Sequence, residues 1–131
     1  MNIAHLCVAL LVLLVVAGGF YVSICRARSM IVCGYPDDPA HPLHKAARAH
    51  GNTVEYAPAI ALVIAILGAM GPPSWVLVCM VLVTLARYML FFGLVLSPTI
   101  AKPHPLRFLG ALSTYIFGTV LAVYLLYTAV F

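Results

Sequence analysis

Arg48-Ala49-His50-Gly51-Asn52-Thr53-Val54-Glu55-Tyr56-Ala57-Pro58 runs without a break into Ala59–Met70, an apolar segment long enough to finish crossing a bilayer. Arginine, histidine, asparagine and glutamate therefore sit on a helix that enters a membrane. A charged side chain at bilayer depth costs about 2.5–3.5 kcal/mol on insertion scales. Four polar residues in eight positions on such a helix need either partners or a ligand, and the rest of the chain has to supply them.

The surrounding composition fits that reading. The 131 residues are 65% hydrophobic and 8% charged, against about 25% charged in a soluble domain. Four spanning helices of about 20–25 residues use nearly the whole length, so one membrane domain over residues 1–131 is expected. A net charge of +4 comes without a basic run or interleaved aromatic and basic residues, which argues against nucleic acid. Cys7, Cys25, Cys33 and Cys79 form no CxxC pair, and neither they nor the histidines show metal-ligand spacing. Glu55 is the one acid within the apolar segments, which leaves a serine-type triad without support. Met1-Asn2-Ile3 has no basic leader before the apolar run, so the first segment is expected to stay as a membrane helix.

The expected helices cover about 3–26, 43–71, 74–97 and 106–131. Arg26 and Arg28 stop the first, the prolines at 36, 39 and 42 mark the following loop, and Gly71-Pro72-Pro73 and Ser97-Pro98 divide the others. Arg26, Arg28, Lys45, Arg48, Lys102 and Arg107 flank the first and third connections, while the second connection and both ends carry no lysine or arginine. The positive-inside rule then puts those two loops in the cytoplasm and both termini on the other side. Gly18-Gly19 with Ser23, Ala57/Ala61/Ala65, and Gly110/Thr114/Gly118/Ala122 provide small-residue ridges for close helix packing.

At about 100° per residue, Arg48, Asn52 and Glu55 share one narrow face of the second helix, and His50 points elsewhere. Pro58 removes a backbone N–H and frees the Val54 carbonyl, so a kink is expected there. The stripe is either a clamp, with Asn52 bridging Arg48 and Glu55, or a ligand site. Arg87 on the third helix lies too deep to reach the interface by snorkelling. It is either a partner for Glu55 or a ligand contact. Arg107, on the first turn of the fourth helix, is either a topology anchor or a cation that would favour the thiolate form of a nearby thiol.

Arg48-x-His50-x-Asn52-x-x-Glu55-x-x-Pro58, Arg87 with Gly93, and Arg107-Phe108-Leu109-Gly110 occur in an order that resembles the MAPEG family, the membrane-associated proteins of eicosanoid and glutathione metabolism. The likeness spans about Leu43–Thr114 and is greatest to the short bacterial members of microsomal-glutathione-transferase type. It implies an all-α integral membrane protein, a four-transmembrane-helix bundle assembling as a homotrimer, with glutathione held as co-substrate between subunits near the cytoplasmic side. By the same resemblance, Arg48, Asn52, Glu55 and Tyr56 match glutathione-contacting positions. Tyr88 beside Arg87 is similar to a tyrosine–arginine pair of one branch, Arg28 (or Arg26) matches a basic contact at the end of the first helix, and Arg107 matches the thiolate-stabilising arginine.

The sequence departs from the pattern at Leu90, where many relatives carry histidine, at Phe92 and Leu94, and at Ala111, where one branch has tyrosine. These departures argue against eicosanoid synthesis and leave glutathione conjugation or peroxide reduction of a small lipophilic substrate drawn from the membrane lipid. The contrasting reading is a non-catalytic membrane module that binds a lipid, an anionic metabolite or a partner protein. In a bacterium the protein would be multi-pass in the inner membrane, with its site open to the cytoplasm.

Overall fold

The computed structural model describes residues 2–131; Met1, the first residue of the expected domain, lies outside them. Four α-helices account for most of the chain: α1 (Ile3–Ser29), α2 (Pro42–Ala69), α3 (Ser74–Val95) and α4 (Pro105–Val130). Each is long and apolar enough to cross a membrane, and no strand occurs among the described residues.

The helix boundaries follow local chemistry. Both α2 and α4 begin with proline in the first turn, where its missing N–H would have had no partner anyway. The first helix runs three residues past its expected end. Arg26 and Arg28 were expected to stop it, but they occupy its last turn, where cations favour the helix dipole. Met30 ends the helix in the left-handed region (φ 56°), and the Ile31 N–H returns to the Arg26 carbonyl. Pro58 lies inside α2 without ending it.

The helices pack mainly as two pairs, α1 with α2 and α3 with α4, joined across the middle by α2 and α3. Small residues set the closest approaches. A Cβ at Gly110 would lie 2.6 Å from the Leu90 backbone nitrogen, and one at Gly93 would lie 2.9 Å from the Arg107 nitrogen. Backbones can approach this closely only where no side chain intervenes, which is how helices gain packing energy in lipid. The α2 ridge is used in part: Ala57 and Ala61 are buried, whereas Ala65 is exposed. Gly18 and Gly19 receive a side chain where a helix backbone was the expectation. The His50 ring lies against them, with Phe91 alongside.

The two basic connections meet at one end of the bundle. The Ile100 N–H donates to the Pro39 carbonyl (3.0 Å), and Lys45 Nζ donates to the Ser97 carbonyl (2.9 Å). At the other end Ala4 touches Gly68, and Trp75 stacks edge-on with Tyr124 at 5.0 Å. Leu13, Val16, Phe20, Leu62 and Leu126 are exposed on the outer faces. That exposure would be costly in water and suits hydrocarbon, so the chain is an integral multi-pass membrane protein.

A cationic cleft at the basic end of the bundle

A cleft of about 490 Å³ opens between α2, α3 and α4 near the basic loops. From α2 come Arg48, Asn52 and Tyr56, spaced by four residues so that they stack along one side. Arg87, Leu90 and Leu94 contribute from α3, and Arg107, Ala111, Thr114 and Tyr115 from α4. Ile100, Pro103 and His104 close the loop side.

Arg87 is the most constrained of these groups, with 1% of its surface exposed. Its Nη2 donates to the Asn52 carbonyl at 2.9 Å and to Asn52 Oδ1 at 2.7 Å. The guanidinium also lies 5.3 Å from the centre of the Tyr56 ring, a cation–π distance. Arg87 Nε is buried and has no protein partner. Arg107 Nη1 donates to the Ile100 and Lys102 carbonyls at 3.0 and 3.1 Å, so the same side chain holds the α3–α4 loop and lines the cleft. Gly93 allows the backbone of Arg107 to lie against α3.

Of the expected site residues, Arg48, Asn52, Tyr56, Arg87 and Arg107 come together here. Glu55, Tyr88 and Arg28 do not line this cleft. Glu55 lies about 60° round α2 from Asn52, on the side away from Tyr56, and is exposed on the outer face of the bundle. Arg48 turns the same way by about 40°, but its longer arm still reaches the cleft. The expected pairing of Arg87 with Glu55 is therefore replaced by hydrogen bonds to Asn52, one turn nearer the loops. Tyr88 follows Arg87 by one residue, hence by about 100°; its hydroxyl donates to the Leu10 carbonyl of α1 (2.9 Å). Arg28 is exposed near the end of α1.

Three arginines line the cleft, and no carboxylate does so among the described residues. Like charges brought together at reduced dielectric repel, and an anion with several charged oxygens would relieve that repulsion through charge-assisted hydrogen bonds. Four free cysteines are present, none of them lining the cleft, so a nucleophilic sulfur would have to arrive with the ligand. Beyond Tyr56 and Tyr115, whose rings meet edge-on at 5.9 Å, a second and mostly apolar slot of about 250 Å³ continues between α2 and α4. Ile60, Val63, Gly118 and Leu121 form its walls. Sequence reasoning passed over His104, Thr114 and Tyr115. For Tyr115, a cue lay in the four-residue spacing of Arg107, Ala111 and Tyr115.

The MAPEG family model matches residues 4–127. Neither the curated proteins nor the solved structures gave a match.

Proposed function

Because the chain belongs to the MAPEG family, we propose that it binds glutathione in the arginine-lined cleft and acts as a glutathione transferase or peroxidase on lipophilic electrophiles. The observation that carries this reading is a cleft lined by three arginines and no carboxylate, beside an apolar slot that shares Tyr56, Thr114 and Tyr115 with it. Glutathione offers two carboxylates and, once ionised, a thiolate. Arg48 and Arg87 hold the carboxylates, and Arg107 favours the thiolate by charge. The electrophile arrives from the bilayer with its apolar body towards the slot and its reactive atom facing the sulfur. Leu90 and Ala111 line the cleft where branches of the family carry histidine and tyrosine, so those two positions supply no acid or base.

The test is spectroscopic. Adding glutathione to the purified protein in detergent at neutral pH should produce thiolate absorbance that saturates at one equivalent per cleft. Saturable binding without that absorbance would favour the contrasting reading, a module that holds an anionic metabolite without activating it.

The exposed position of Glu55 argues for assembly as a homotrimer. An exposed carboxylate at bilayer depth is costly, and a neighbouring protomer removes it from lipid. At such a boundary, with both basic loops on the cytoplasmic side, Glu55 faces the ammonium group of glutathione, and Tyr88 and Arg28 become second-protomer or rim contacts. Glu55→Gln should therefore leave the trimer intact by size-exclusion chromatography with light scattering and weaken glutathione about tenfold or more, the scale of a lost charged hydrogen bond. Collapse of the trimer with unchanged ligand affinity per folded protein would instead make Glu55 a clamp.

A further inference from the structure

His-Pro-Leu occurs twice in the chain, as His41-Pro42-Leu43 opening α2 and His104-Pro105-Leu106 opening α4. Both histidines occupy the N-cap position with extended backbone, φ −65°/ψ 131° and φ −135°/ψ 129°. In each case the following proline keeps the histidine out of the helical region and starts the helix. The side chains then diverge. His41 Nδ1 accepts the Leu43 N–H at 3.1 Å, an ordinary cap. His104 makes no side-chain cap bond; its ring lines the cleft alongside Arg107, and its Nδ1 is enclosed without a partner.

A bare buried acceptor is tolerated more readily than an orphaned buried N–H. The neutral ring therefore carries its proton on Nε2, leaving that nitrogen as the donor that can meet a ligand. Pro103 and Pro105 on either side restrict the backbone that carries the ring. Among three guanidinium groups, a neutral donor adds a hydrogen bond without adding like charge.

Building on the glutathione reading above, we propose that His104 is a ligand-binding residue whose Nε2–H donates to one of the glutathione carboxylates on the loop side of the cleft. The test compares wild type with His104→Phe, His104→Asn and His104→Gln in the intact protein. Affinity is measured for glutathione and for two analogues, each with one carboxylate blocked as an ester or amide. The glutamine amide nitrogen overlays Nε2, whereas the asparagine amide overlays Nδ1. His104→Gln should hold affinity within about threefold, while the Phe and Asn variants lose about tenfold or more. For one of the analogues, the penalty seen in wild type should shrink in His104→Phe by about the factor that the variant alone costs, because the histidine bond is lost only once, while the loss of the arginine contact to that carboxylate remains.

Unchanged glutathione affinity in all three variants would overturn the assignment and leave the function proposed above standing. So would penalties from the variant and the blocked carboxylate that simply add. Equal losses in the Gln and Asn variants would also overturn it, since they would point to proton uptake or to packing. If wild type binds neither glutathione nor the analogues, the assignment falls together with the reading beneath it.

Discussion

Arg107→Ala is expected to abolish the glutathione thiolate absorbance at neutral pH and to slow conjugation by about 100-fold or more, the scale seen when one preorganised donor to a developing anion is removed. The reason is electrostatic. A free thiol ionises near pH 8.5, and an adjacent cation lowers that value by favouring the charged form. With the guanidinium present, the bound sulfur should be ionised across the neutral range and its absorbance should change little with pH there. Without it, the thiolate should reappear as the buffer is raised towards and past about pH 8.5, where a free thiol is half ionised, so part of the lost rate returns in alkali.

The side chain has a second task, since Nη1 holds the Ile100 and Lys102 carbonyls. Its loss should therefore also loosen the α3–α4 loop. Arg107→Lys separates the two effects: an ammonium restores a point charge near the sulfur, but it has no planar fork to span the loop and the cleft together. The lysine variant should recover part of the neutral-pH absorbance while glutathione affinity stays weakened. If Arg107 served only as a topology anchor, either variant would keep wild-type absorbance and rate.

How far the sequence could be read depends on which physics decides each feature. Helix number and approximate extent come from hydropathy and proline placement, which are local properties, and all four spans appear within a few residues of the expected ranges. α1 continues past the expected end because arginine is no helix stop: a cation in the last turn is favourable to the helix. The α2 stripe holds as a wheel, but only part of it lines the cleft. Periodicity places Arg48, Asn52 and Glu55 on one face, but only the packing of α3 and α4 determines which edge of that face becomes cleft and which becomes outer surface. Asn52 falls on the inner edge and Glu55 on the outer.

The Arg87–Tyr88 pair shows the same limit from the opposite direction. Adjacent letters in a motif lie about 100° apart on a helix, and here one side chain turns to α2 and the other to α1. His104 was hidden for a different reason. Its role depends on a capping bond that is made at His41 and declined at His104, and nothing in the repeated tripeptide itself separates the two outcomes.

Arg87→Leu is expected to cost more than binding alone, because the residue joins two helices within the bundle. Nη2 is shared between the main-chain and side-chain oxygens of Asn52, and the guanidinium packs on Tyr56. Hydrogen bonds to a charged group contribute about 1.5–3 kcal/mol each. The Asn52 carbonyl keeps its place in the helix, so the net loss should lie near the lower end of that range for the pair, visible as a lower melting temperature in detergent. Function should suffer further. Arg87 Nε is buried with no protein partner, and the side chain lines the cleft, an arrangement that leaves donor capacity for a ligand. Loss of that cation should weaken glutathione about 100-fold, while Arg87→Lys restores charge without the fork and should fall between. The two contributions separate in one measurement. A ligand that binds only the folded protein raises its melting temperature with concentration. Wild type should therefore climb with added glutathione, and Arg87→Leu should start lower and stay flat. A parallel climb from the lower starting point would assign Arg87 to the fold alone and leave Arg48 and Arg107 as the anion-binding pair.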